Sequence, residues 1–187
     1  KVEMGTGRSY GIEFLFQKTE GRSTGWLSYT WSKSDRQFSK GGINDGERFP
    51  YTYDRRHHLV LVFNRHFSKK FDLHASWEFY TGGMATLALK QTVLIDGEEA
   101  GYVPHRNNYR LPSSHTLCLG FDFNKQGRRG LHTWSFSIYN MYCAMNPTFV
   151  LRDTDDTSYS TSNQPTPKLK KFTLLPFVPS FTYSFKF

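Results

Sequence analysis

The sequence predicts an all-β chain, and three observations carry that reading. Polar and apolar residues alternate with period two over stretches of about ten residues, repeated five times along the 187 positions. The longest apolar run, Leu59-Val60-Leu61-Val62-Phe63, falls far short of the roughly 18 residues that a membrane-spanning helix needs. Aromatic residues reach 17%, with 17 Phe and 11 Tyr, a composition foreign to disordered chains. A chain of this length builds one domain rather than two.

The predicted strands follow in order. The first, about residues 8–17, sets Tyr10, Ile12, Phe14 and Phe16 against Gly11, Glu13, Leu15 and Gln17. The second, about 24–34, sets Leu27, Tyr29 and Trp31 against Ser28, Thr30 and Ser32. The third, about 57–67, is apolar on both parities for five residues, so its facing is ambiguous. Alternation returns with Leu73, Ala75, Trp77 and Phe79 against His74, Ser76, Glu78 and Tyr80. Leu117, Leu119, Phe121 and Phe123 then oppose Thr116, Cys118, Gly120 and Asp122, and Trp134, Phe136 and Ile138 oppose Thr133, Ser135, Ser137 and Tyr139. A piece at Phe149–Leu151 reads either as an extension of that strand or as a short separate one. The last strand alternates Phe181, Tyr183, Phe185 and Phe187 with Ser180, Thr182, Ser184 and Lys186. The total is about eight strands.

Connection lengths alternate. Short ones at 18–22, 67–70 and 124–130 interleave with long ones at about 35–53, 87–108 and 152–171. In an up-and-down sheet this puts every short turn at one end and every long loop at the other, the asymmetry of outer-membrane barrels. Six of the eight prolines lie in the long loops or at their rims, where no ladder donor is needed. The Asp-, Ser- and Thr-rich 152–171 loop is the segment expected to be most mobile.

The two parities differ in kind. One carries bulky Phe, Tyr, Trp, Leu and Ile. The other carries mainly Gly, Ser and Thr, including Gly11, Gly25, Ser28, Ser76, Gly120, Ser135 and Ser137, with few of the charges that coat a water-facing sheet. Hydrocarbon is therefore the expected medium for the bulky parity, with Ile12, Phe14, Leu27, Tyr29, Leu73, Trp77, Leu119, Phe121, Phe136 and Ile138 facing lipid. Tyr10, Trp26, Trp31, Phe67, Phe123 and Trp134, near strand ends, are expected in the interfacial girdles. The fold class expected is an antiparallel up-and-down transmembrane β-barrel segment spanning residues 1–187.

The net charge of +8 comes from short basic clusters: Lys18 with Arg22, Lys69-Lys70, Lys125 with Arg128-Arg129, and Lys168 with Lys170-Lys171. These read as solvated turns, with an anionic membrane surface or nucleic acid as sharper alternatives. Cys118 and Cys143 define no disulfide framework.

Several stretches resemble a known family. Gly7-Arg8-Ser9-Tyr10-Gly11-Ile12-Glu13-Phe14 and Gly25-Trp26-Leu27-Ser28-Tyr29-Thr30-Trp31-Ser32 resemble successive barrel strands of TonB-dependent outer-membrane receptors. Tyr53-Asp54-Arg55-Arg56-His57 before an apolar strand is similar too, as are Tyr139-Asn140-Met141-Tyr142 with Asn146-Pro147. The ending Phe181, Tyr183, Phe185, Phe187 looks like the C-terminal signal read by the barrel assembly machinery. The resemblance covers nearly the whole chain but only the last third or so of that family's barrel, of about 22 strands. These 187 residues resemble no plug domain, TonB box or earlier strand of that family, so a C-terminal fragment of the barrel is the expectation.

It implies uptake of a scarce ligand (glycan, peptide, siderophore or cobalamin) across the cell outer membrane. The implied partners are outer-membrane lipid, the rest of the barrel and its plug, TonB, the assembly machinery and, in some subfamilies, a surface lipoprotein. Two alternatives stand beside it: a self-closing eight-stranded barrel for anchoring or adhesion, and a soluble lipocalin-like carrier.

Other chemistry finds little footing. The seven histidines have no zinc spacing, and Asp153-Thr154-Asp155-Asp156 reads as a solvated loop before it reads as a calcium site. Ser113-Ser114-His115 is adjacency, not a catalytic geometry. No enzyme activity, cofactor or metal is expected, and the aromatics belong to strand parities rather than to a basic groove for nucleic acid.

Overall fold

A computed structural model describes residues 4–87, 92–95, 98–101, 103, 105–153, 168–174 and 176–187. Seven long strands form one antiparallel meander: β1 (Gly5–Lys18), β2 (Ser23–Phe38), β3 (His57–Ser68), β4 (Phe71–Tyr80), β5 (Ser114–Gln126), β6 (Leu131–Tyr139) and β7 (Val178–Lys186). Each pairs with its neighbour in sequence order, and a two-residue piece, Phe49–Pro50, adds an eighth strand beside the outer half of β2. The sheet is not closed as a barrel: β1 and β7 are its two edges and do not pair. The self-closing eight-stranded barrel and the lipocalin-like carrier both need that pairing, and neither forms here.

The connections fall as the spacing predicts. Residues 19–22, 69–70 and 127–130 make the short turns, while 39–56, 81–113 and 140–177 make the long connections at the other end. The Phe149 piece is a separate strand, Phe149–Asp153, paired with Lys168–Phe172 outside the main sheet. Most of the segment expected to be mobile, and Asp155 and Asp156, lie outside the described residues.

Residues directly opposite in an antiparallel ladder share a face, so the register assigns both faces. Phe14 faces Tyr29, Tyr29 faces Leu59, and Leu61 faces Trp77. Trp77 faces Leu117, Phe121 faces Phe136, and Phe136 faces Phe181. All ten residues expected to face lipid stand on this one aromatic face. The ambiguous third strand is resolved by its neighbours. Leu59, Leu61 and Phe63 join the aromatic face, while Val60 and Val62 oppose Ser28, Glu78 and Ser76 on the other.

Two expectations need correction. Trp26 lies opposite Gln17 and Val62, on the Ser/Thr face, and leaves the girdle. Gly25 lies opposite Lys18 and Phe63, on the aromatic face. A Cβ there would come within 2.1 Å of the Val62 carbonyl oxygen, so close strand approach requires glycine at this position.

Within the described chain most of the aromatic face is uncovered, with Tyr142 reaching over it at Trp77. Among described hydrophobic residues only Phe49 and Met84 are buried, whereas Phe14 and Phe16 are 62% and 73% exposed. The opposite face is knitted by polar pairs: His58 to Glu78 at 2.8 Å, His74 to Asn64 and Asp122 at 2.9 and 3.0 Å, and His66 to Asp72. Asn124 donates to Asp72 and accepts from Thr133, carrying the ladder on to β6.

Candidate functional site at the long-loop end

Three connections converge at the long-loop end, and side chains rather than an apolar core bind them. The Tyr53-Asp54-Arg55-Arg56-His57 run supplies the centre. Asp54 is 1% exposed. Its Oδ1 accepts the Ser34 N–H at 2.7 Å; its Oδ2 accepts Arg56 Nε at 2.8 Å and Arg110 Nη2 at 2.5 Å. Arg110 Nη1 also donates to the Asp54 and Gly82 carbonyls, at 2.6 and 2.9 Å. One carboxylate thus ties the end of β2 to two long connections. Burial on its own raises the Asp54 pKa, but the hydrogen bonds from Arg110, the Ser34 amide and Arg56 outweigh it and hold the carboxyl below its ordinary value. The remaining members have separate tasks. Arg55 lays its guanidinium 4.2 Å from the Tyr80 ring centre, and His57 Nδ1 bonds the Tyr29 hydroxyl at 2.8 Å.

Asparagines complete the framework by imitating a peptide group. The Asn44 carboxamide accepts from the Arg106 N–H and donates to its carbonyl. Asn108 does the same to Leu87, and Asn146 to His115. Asn140, 1% exposed and left-handed at φ 54°, donates to the Ala144 and Pro176 carbonyls and accepts from the Ala144 N–H. Asparagine tolerates that backbone region better than any other residue but glycine. Tyr142 folds onto the aromatic face, its hydroxyl accepting from Trp77 Nε1 at 3.0 Å and bonded to His115 Nδ1 at 2.8 Å.

Between these latches lies a cleft of about 410 Å³ on the Ser/Thr face. Arg55, Glu78 and Tyr80 stand on one side, Ser114 and Thr116 on another, and Asn146, Thr148 and Leu174 close it from the last long connection. A guanidinium, a carboxylate, hydroxyls and a carboxamide meet an aromatic ring and small apolar patches. That mixture suits a polar ligand with hydroxyl or acidic groups. Ser114 and His115 point to opposite faces of β5, and His115 is engaged with Tyr142, so this adjacent pair forms no nucleophile–base couple.

Among the described residues no group of three His, Cys, Asp or Glu is placed to hold a metal ion. Cys118 and Cys143 are free thiols. Of the residues singled out from sequence, Asp54, Arg55, Asn140 and Asn146 belong to this end. Arg110, Asn108 and Asn44 were missed. The one signal for the residues near Arg110 was the polar run Arg106-Asn107-Asn108-Tyr109-Arg110, and Asn44 sits in Gly42-Ile43-Asn44-Asp45-Gly46; both read as ordinary loops.

Comparison with protein-family models, with curated proteins and with solved structures gives no match.

Proposed function

We propose that this chain is the C-terminal barrel portion of a TonB-dependent outer-membrane receptor that imports a scarce polar nutrient. The observation that carries the reading is the uncovered aromatic face. Seven strands put their bulky side chains on one side, almost none of them buried, and monomeric soluble proteins rarely expose apolar patches beyond a few hundred Å². Lipid covers that face in the proposed setting, and the Ser/Thr/Gly face looks into the lumen.

Open edges extend the reading. In hydrocarbon each unpaired backbone group costs several kcal/mol, so β1 and β7 take partners from the remainder of a wider barrel. The long connections then shape the outer mouth, with the 410 Å³ cleft turned toward plug and ligand. Phe181, Tyr183 and Phe185, all on the aromatic face of β7, and Phe187 after it serve as the assembly signal.

The test is made in the producing cell. The chain is expected in the outer-membrane fraction. Its disruption is expected to abolish uptake of one ligand class among glycans, peptides, siderophores and cobalamins, and that uptake is expected to depend on TonB. A chain found in the soluble fraction, or unchanged uptake of every class, contradicts the proposal.

A further inference from the structure

The basic turns have no part in that uptake reading, and the fold gathers them. All three short turns and the end of β7 lie at one edge of the sheet, and they bring together Lys18, Arg22, Lys69, Lys70, Lys125, Arg128, Arg129 and Lys186. All eight are exposed, and among the described residues none has an ion-pair partner. The carboxylates nearest them are Glu20, Asp72 and Asp122; Asp72 is engaged by His66 and Asn124, and Asp122, opposite it in the ladder, by His74. The long connections carry eleven Lys and Arg against nine Asp and Glu, so most of the net +8 resides at the turn end.

Immediately inside this basic rim runs a band of rings. Phe67 meets Phe71, and Phe71 meets Phe123; further along, Trp134 meets Tyr183 and His132 meets Phe185. An aromatic belt backed by cations is the arrangement that suits a headgroup layer. A second feature lies beside it. Because Gly25 has no side chain, an apolar hollow of about 170 Å³ opens on the aromatic face between Phe16, Leu27, Leu61 and Phe63, with Lys18 at its rim.

We infer that the short-turn end is a docking surface for anionic phospholipid: the turn cations bind the headgroup phosphates, and the Gly25 hollow seats an acyl chain. The inference rests on the membrane reading above and adds lipid selectivity to it. Zwitterionic lipid offers the same phosphate but balances it with an ammonium group, so the unpaired cations select lipid of net negative charge.

The complete protein that carries this chain, so that β1 and β7 have their partner strands, is refolded into vesicles of equal parts phosphatidylethanolamine and phosphatidylglycerol, then extracted in neutral detergent, and the retained lipids are counted by mass spectrometry. Phosphatidylglycerol is expected in excess. The excess should fall roughly fivefold or more in K69Q/K70Q/R128Q/R129Q, fall in K18Q/R22Q, and persist in K40Q/R106Q at the opposite end. Insertion is followed separately by tryptophan quenching with brominated lipid. Equal retention of both lipids by an inserted native chain overturns the inference and spares the membrane reading. An equal fall in the K40Q/R106Q variant also overturns it, since net charge rather than place would then decide. A complete native protein that fails to insert overturns both.

Discussion

The two ends of the sheet solve the problem of ending a strand in opposite ways. At the long-loop end the connections are long, and ordered polar side chains hold them. Asp54 is locked by Arg56 and Arg110, Asn140 spans its own turn and reaches Pro176, and Asn44, Asn108 and Asn146 grip remote backbone. At the short-turn end the connections are a few residues long and, among the described residues, the turn cations have no ion-pair partner. Charge at one end is consumed in making structure; at the other it is displayed. Substitutions should therefore strike the first end through stability and the second through its surroundings.

The largest effect is expected at Asp54. Asp54→Ala leaves two guanidiniums and the Ser34 amide without their acceptor. Breaking a buried pair costs about 3–5 kcal/mol, and because Arg56 and Arg110 remain partly exposed the lower figure applies, about 3 kcal/mol in a denaturant titration. Its pH dependence has a definite sign. The folded pKa lies below the ordinary value of 3.8, so the contribution is fully present above about pH 4 and is lost as pH falls through the lower, folded pKa. Hydrogen exchange at the Ser34 amide should be unchanged between neutral pH and pH 5, after correction for intrinsic rates. A loosening near pH 6 would mean that another group holds the latch.

Next comes Asn140→Ala, expected to lose about 2 kcal/mol because three hydrogen bonds vanish and a left-handed residue acquires strain. Asn140→Gly relieves the strain and should fall between the two. Loss of protection at the Ala144 amide is the local readout. Smallest is the turn end: K69Q, K70Q, R128Q and R129Q should each change stability by less than about 0.5 kcal/mol. A substantial destabilisation there would erase the contrast between the ends.

How much of this was legible beforehand follows from the range of each interaction. Strand positions and turn lengths are local, and the period-two pattern placed all seven long strands within a few residues. Facing needed more. Leu59–Phe63 is apolar on both parities, so only the register with Tyr29 and Trp77 decides it. Gly25 was grouped by residue type with the small-residue face although its parity placed it on the other, where it is needed for close approach to Val62. The latches were out of reach for a different reason. Asp54 and Arg110 are 56 residues apart and Asn44 and Arg106 are 62 apart, and nothing within a loop's own text names a partner at that distance.

The account stands on the medium that covers the aromatic face, and four tryptophans report on it. Trp31, Trp77 and Trp134 lie on that face, and Trp26 lies on the other. Versions of the complete protein that keep one of these four as their single tryptophan, refolded into bilayers with bromine on the acyl chains, should show strong quenching at Trp31, Trp77 and Trp134 and little at Trp26. Strong quenching at Trp26 with the other three spared, or no quenching at any of the four, would contradict it.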